Sequence, residues 1–509
     1  MRVLLVDVDS LRPDHLGCYG YDRPTSPTVD ALAADGVRFT RAYASDTPCL
    51  PSRTALAAGR FGARTGVVTH FGEGQWYDHG ASGHEADADA PLAFRHLSRH
   101  GVRTATVSSF GSHHAAYHFS GSFTDAIQPT PRKDTETAAD VTREATAWLD
   151  RHAADDDWLL HVQYWGVHHP YHDVTDDVET LRDDDWTPDW PDGEALAAQR
   201  GTTGPRTADL WPTPDAVGEP DYEAQYADWP MPDRFETPED VAHLVDGYDA
   251  SVRRIDRHVD RLLTALDDAG VREEVTVVVT ADHGEALGEH GLYAEHGLAH
   301  PPTQRVPLVV AGPAVDDPDR AVDAQVYQFD LTATLCDLFD APVPDGWDAA
   351  PLTDALRGRS FDGRDALVCG HGIFTFSRAV YEDEWAYIRI LHPGVFSHPA
   401  LFNAPDAEGP AAGLELLHDR EADPHMTENV VADHPDVADR LRRRLADWRD
   451  EMLATADAGG TDPLARMAVD SGPFYYVDPE ELAAYYRETD RSDRQVRAVE
   501  RARSFPTDR

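Results

Sequence analysis

Residues 241–283 read VAHLVDGYDASVRRIDRHVDRLLTALDDAGVREEVTVVVTADH, and this stretch decides the fold. Val241, Leu244, Val245, Tyr248, Val252, Ile255, Val259, Leu262, Leu263 and Leu266 recur at steps of three and four, which predicts a helix with one buried stripe. Gly270 ends it. Val275–Thr280 then forms a short apolar run that reads as a strand, followed at once by the polar pair Asp282 and His283. Similar runs stand at Val3–Val8, Val102–Val107, Trp158–Tyr164 and Val306–Val310, with helical patterns between them. The expected architecture is α/β: a large mixed, mostly parallel sheet with helices on both faces.

Two segments depart from this rhythm. Residues 172–237, containing DDDWTPDWPDG, read as an inserted surface loop, either a lid over a pocket or acidic surface without function. Trp186, Trp190, Trp211 and Trp229 in it could stack on sugar faces or anchor the loop to the core. Beyond Pro342, the runs Ala366–Cys369, Arg378–Tyr381 and Trp385–Leu391 read as antiparallel strands, followed by a charged helix over Pro435–Met452. The chain therefore divides into a large α/β domain, 1–345, and a smaller C-terminal α+β domain, 346–509, with a polar tail after Gly459 and no internal repeat.

Charge narrows the functional classes. Among 509 residues, 92 are acidic and 45 basic, a formal charge of −47, which argues against a nucleic-acid partner. Lys133 is the only lysine, so basic chemistry falls to arginine and to the 26 histidines. A surface this acidic resembles those of proteins that work in concentrated salt, where screening weakens self-repulsion. The N-terminal MRVLLVDVDS is too short and acidic for a signal peptide, and no stretch is long and apolar enough for a membrane span. Cys18, Cys49, Cys336 and Cys369 show no disulfide or metal spacing; the expected compartment is the cytoplasm, with no membrane association.

In such a sheet, ligands bind at the carboxyl ends of the strands. Four polar clusters occupy those positions: Asp9 with Ser10, His113 with His114, His168 with His169, and Asp282 with His283. Asp9, Asp282 and His283 are hard-to-borderline donors able to hold one divalent ion, although an aspartate there also serves as a helix cap. Cys49 stands at the start of a predicted helix, with Pro51 suited to its first turn. Arg53, one turn along, can offer a planar donor fork to a tetrahedral oxyanion.

Cys49-Leu50-Pro51-Ser52-Arg53, continued by TALAAGR, resembles the sulfatase signature Cys-x-Pro-Ser-Arg, whose cysteine is converted to formylglycine. VLLVDVDSLRPDHLGCYG (3–20) is similar to the family's first strand and metal loop, VTVVVTADHGEALGEHGLYAEHG (275–297) to its second metal motif, and LELLHDREADPHMTENV (414–430) to its C-terminal signature. The resemblance implies an alkaline phosphatase-like fold and hydrolysis of a sulfate ester. Formylglycine at position 49 would be hydrated to a diol; one metal-acidified hydroxyl would attack sulfur, and the other would then expel sulfate and regenerate the aldehyde. It also implies a formylglycine-generating enzyme as maturation partner and a small sulfated sugar or aryl ester as substrate.

Carried onto this chain, the resemblance makes Asp9, Cys49, Asp282 and His283 the metal ligands and Arg53 the residue orienting the diol. Asp9-Ser10 and Asp282-His283 replace the commoner Asp-Asp and Asp-Asn pairs, so manganese or magnesium stands beside calcium as the expected ion. The two lysines that many members turn to the sulfate oxygens are absent. His296, nine residues before Arg305, stands in place of one. His114, in SSFGSHHAAYHF, is chosen for the other, with His113 its alternative. Protonated imidazoles there would make activity depend on pH near neutrality. His168, in YWGVHHPY, takes the position of the general acid for the departing alcohol. The Asp-His form also resembles phosphodiester and phosphonate monoester hydrolases, an alternative activity for the same site. A second alternative is an unmatured, non-catalytic binding protein.

Overall fold

The computed structural model describes residues 1–77, 90–131, 136–182, 186–199, 228–232, 235–394, 414–455, 461–470, 474–475, 478–488, 496, 499–500 and 502–503. Lys133 and Trp211 lie outside the described residues, as does much of the 172–237 insertion. Among the described residues, eleven strands precede residue 330: β1 (Arg2–Val8), β2 (Gly36–Tyr43), β3 (Asp46–Thr47), β4 (Arg103–Val107), β5 (Asp125–Ile127), β6 (Trp158–Tyr164), β7 (Val275–Ala281), β8 (Ala286–Leu287), β9 (Tyr293–Glu295), β10 (Leu308–Ala311) and β11 (Arg320–Tyr327). Four more, β12 (Leu367–Ile373), β13 (Thr375–Glu382), β14 (Trp385–His392) and β15 (Glu415–Asp419), follow.

The large sheet runs β11-β2-β10-β7-β1-β6-β4-β5. Only β10 is antiparallel to its neighbours; every other pair is parallel. The expected mixed, mostly parallel sheet is present. The order has a functional consequence, because β7, β1, β6 and β4 lie side by side and parallel, so their carboxyl ends form one continuous edge. Asp282, Asp9, His168 and His114 all follow those ends. Strands β8 and β9 pair separately as a small hairpin beyond β7.

The helix read from the opening stretch spans Pro238–Asp268. Thr237 and Asp240 close a capping box at its start, Pro238 occupies the first turn, and Gly270 follows its end at φ 69°. Its buried face reaches the site through Tyr248, whose hydroxyl donates to the Ser10 carbonyl at 2.7 Å and accepts from the Arg12 amide at 2.8 Å. Ser10 is thereby held at φ 59°, a left-handed conformation a side chain seldom adopts. The loop after β1 is fixed from outside by the longest helix.

The second sheet runs β15-β14-β13-β12-β3, antiparallel except where β12 meets β3. Residues 46–47 thus pair with this sheet immediately before Cys49. Trp347, Leu352 and Leu356 still pack in the first core, and the second sheet starts at Leu367. The charged helix spans Pro435–Thr455 and packs on β13 and β14. The tail contains helices Pro463–Asp470 and Pro479–Glu488, which bury Leu464, Met467, Leu482 and Ala483 with Phe71 and Phe376. The apolar residues of this tail are few and separated by charge, so the sequence alone gives no helical stripe there.

Asp46 in β3 accepts from the Gly62 amide and the Ser45 hydroxyl, yet burial pushes its pKa up to about 6. The raised value means the folded state holds this proton more tightly than the unfolded chain. The stabilisation is present below the unfolded pKa and is lost as pH rises through about 6. Asp46→Asn, which mimics the protonated acid, should therefore exceed the parent in stability by about 2 kcal/mol near pH ~8 and by about nothing near pH ~4. Urea denaturation at the two pH values measures this; a constant difference would refute the burial account.

The net charge of −47 leads to a second expectation. Raising KCl from about 0.1 to about 2 M should raise the melting temperature by ~10 °C or more, because screening removes repulsion that the fold cannot offset by pairing. A salt-independent melting curve would contradict it.

Candidate active site

Cys49 opens the helix Cys49–Ala58, all of whose residues are buried. The ligating atoms of Asp9, Cys49, Asp282 and His283 lie within 4.8 Å of one another, all four residues buried. Cys49 Sγ is 3.2 Å from His283 Nε2. His283 Nδ1 lies 2.8 Å from the Gly284 carbonyl, so it carries the ring proton and leaves a lone pair on Nε2. The Ser10 and His283 amides both donate to Asp282 Oδ1, at 3.2 and 2.8 Å, fixing that carboxylate. Ser52 donates to the Asp282 carbonyl at 2.6 Å, tying the helix to the end of β7.

Arg53 is fully buried. Its Nε donates to Asp7 Oδ2 at 2.7 Å and Nη2 to Asp7 Oδ1 at 3.3 Å, while Nη1 donates to Asp9 Oδ2 at 2.9 Å and Asp282 Oδ2 at 2.6 Å. The donor fork is thus turned onto carboxylates. Asp7 also faces His161 Nε2 at 3.3 Å, and His161 Nδ1 lies 2.9 Å from the Thr106 hydroxyl.

Three buried carboxylates around one guanidinium leave negative charge uncompensated. Burial raises the pKa of Asp282 well above the carboxylate range, with Asp9 and Asp7 adding to the effect against Arg53. For Asp9, burial acts in the same direction but is overcome by Arg53, His283 and His168, and its pKa falls. Carboxylates, a thiol and an imidazole with a free lone pair, in a pocket of excess negative charge, fit a divalent cation.

The other histidines surround this core. His296 and His283 have ring centroids 4.5 Å apart, and His168 is 5.5 Å from His296. A ring nitrogen of His114 and one of His70 lie within 4.8 Å of Cys49 Sγ. Of the neighbouring pair, His114 is the one brought to Cys49; His113 is exposed and rests against Trp165 at 4.9 Å. His114 Nε2 is buried without a hydrogen-bond partner. His70 accepts the Leu50 amide at 3.2 Å.

Burial lowers the pKa values of His283 and His296 to about 3 and that of His114 well below its ordinary range. Burial thus disfavours the imidazolium form at these three positions, against the protonated donors that the resemblance implies for His114 and His296. Burial also pushes the Glu285 carboxyl up to about 7.

Asp14 pairs with Arg12 at 2.6 Å and His15 with Asp249 at 2.7 Å, both shaping the loop after β1. Three of the insertion's tryptophans, those among the described residues, pack on the rest of the chain: Trp186 lies under Arg23 at 3.8 Å, Trp190 stacks on His425 at 4.3 Å, and Trp229 stacks on His243 at 4.3 Å. Sequence reasoning missed His70, Glu285 and His161. Asp7 carried one signal, its alternation with Asp9 on the same strand face; His70 carried none, since it follows no strand.

Residues 2–341 match the protein family described as Sulfatase. An ulvan-active sulfatase of Formosa agariphila is 23% identical over 484 residues, covering 88% of this chain and 82% of its own. A phosphonate monoester hydrolase of Agrobacterium radiobacter superposes with a TM-score of 0.64 at 19% identity, covering 89% of this chain and 96% of its own. BT4656, in complex with its substrate D-glucosamine-2-N,6-O-disulfate, superposes with a TM-score of 0.66 at 16% identity, covering 89% and 98%. At these identities the two structures show the shared fold alone.

Proposed function

This chain belongs to the sulfatase family and is a sulfuric ester hydrolase, and on that premise we propose that it cleaves a sulfated sugar at Cys49, converted to formylglycine, beside a divalent ion. The observation that carries this reading is the convergence of Asp9, Cys49, Asp282 and His283 within 4.8 Å. A divalent ion held by these residues, calcium or alternatively manganese or magnesium, would supply Lewis acidity to the attacking hydroxyl and to the sulfuryl oxygens.

The chain's own residues do the rest. Arg53, clamped by Asp7, holds Asp9 and Asp282 in register so that their remaining lone pairs converge. His168 turns Nδ1 to the His169 carbonyl, leaving Nε2 as the atom to carry a proton to the departing alcohol. His114 and His296 line the place where sulfate oxygens would sit, as neutral donors or acceptors. BT4656 is seen with a sulfated glucosamine as its substrate, which supports a sulfated sugar as the substrate class.

A phosphodiester or phosphonate monoester substrate is the second reading, favoured by the Asp282-His283 pair and the shared fold with a phosphonate monoester hydrolase. Protein verified by mass to carry the aldehyde, assayed in high salt on sulfated sugars, aryl sulfates and a phosphonate monoester, separates the two. Sulfate release should exceed phosphonate turnover in kcat/KM. The reverse ratio would reassign the substrate, and aldehyde-bearing protein inactive on all would overturn the proposal.

A further inference from the structure

Cys49 Sγ is where three overlapping sets of ligands meet; the one with His70 and His114 is only partly buried and its His70 already accepts the Leu50 amide, which leaves two fully buried sets. One set is rich in carboxylates and contains Asp9 and Asp282 with His283. The other is Cys49, His283 and His296, whose ligating atoms also lie within 4.8 Å of one another and whose residues are all buried. Both imidazoles in it are anchored through Nδ1, His283 on the Gly284 carbonyl at 2.8 Å and His296 on Glu285 Oε1 at 3.4 Å. That leaves Nε2 of each ring as the ligating atom. Anchoring of the far ring nitrogen by a carbonyl or carboxylate is how proteins orient histidines that bind metals. One thiolate with two imidazoles is a borderline-soft donor set, suited to zinc rather than to calcium or magnesium.

We propose that the chain whose Cys49 is still a thiol binds one borderline-soft divalent ion, zinc by its chemistry, through Cys49 Sγ, His283 Nε2 and His296 Nε2. The thiol proton leaves to solvent as the sulfur–metal bond forms, so charge and atoms balance. His296 completes the fully buried soft set: without it an ion held by Cys49 and His283 would face the carboxylates of Asp9 and Asp282. The site exists only before conversion, because an aldehyde at position 49 has no sulfur to donate. It is independent of which ester the mature protein cleaves.

The test uses full-length protein with Cys49 shown by mass to be unconverted, titrated with Co²⁺ as a spectroscopic stand-in and then with Zn²⁺. One equivalent of Co²⁺ should produce a thiolate-to-metal charge-transfer band, and Zn²⁺ should displace it. Cys49→Ser should abolish the band, whereas Cys18→Ser, at the half-exposed cysteine, should keep it. His296→Gln should weaken Co²⁺ binding at least about tenfold with an unchanged circular dichroism spectrum; should that variant misfold, Glu285→Gln should show a weakening of about tenfold or more. Absence of the band in the parent, its survival in Cys49→Ser, or parental affinity in a folded His296→Gln protein would overturn the proposal. Sulfate release by the aldehyde-bearing form is read separately, so either result can fail without the other.

Discussion

Cys49→Ala should lower sulfate release by at least ~10⁴-fold while leaving the fold intact, the scale on which removal of a covalent nucleophile is felt. The structural cost is small. Cys49 is only 2% exposed and packs as a compact apolar group, so losing one sulfur should cost about 1 kcal/mol. Activity and stability therefore separate in this variant, as they would not if Cys49 were merely core. Cys49→Ser sharpens the point: a serine hydroxyl has no second hydroxyl on the same carbon from which to expel sulfate, so it should not turn over either. Steady-state sulfate release by ion chromatography, beside thermal melts, measures both quantities. A Cys49→Ala protein with more than about a tenth of parental activity would remove the covalent mechanism from consideration.

Arg53→Met should be the most destabilising single change at the site, by about 3–5 kcal/mol near neutral pH in the presence of a chelator. Its guanidinium is the shared partner of Asp7, Asp9 and Asp282, all fully buried, and methionine would leave three carboxylates facing one another without a cation. Two properties distinguish this from ordinary loss of packing. Adding a divalent ion should recover part of the deficit, since the ion supplies the missing charge between Asp9 and Asp282. Combining Arg53→Met with Asp7→Asn should cost less than the sum of the single changes, by ~1 kcal/mol or more, because the first removes the reason for the second. Additive losses and no response to metal would show that Arg53 is held for its volume alone.

Most of the large sheet was legible because its buried strands are continuous apolar runs and its longest helix has an uninterrupted stripe. β2 and β11 were harder: GVRFTRAY and RAVDAQVY interleave charged residues with apolar ones, and β11 carries partly exposed Arg320 and exposed Ala321 at the sheet edge. β3, two residues long, has no periodicity to read at all. The candidate site divides along similar lines. Asp9, Asp282, His283 and Cys49 stand where a strand ends or a helix begins. His70 and Glu285 lie in loops, and their roles depend on what the chain folds against them.

By itself, the order of residues determined the class of fold, the chemistry available and the position of the proposed nucleophile, because burial periodicity and a five-residue signature are local properties. Which histidine faces Cys49, that Arg53 spends its donors on Asp7, Asp9 and Asp282, and that burial disfavours charge on His114, His283 and His296 were decided only by the tertiary structure. Each of those depends on distances between atoms far apart in the chain and on the exclusion of water around them, and neither quantity exists until the strands carrying them lie side by side.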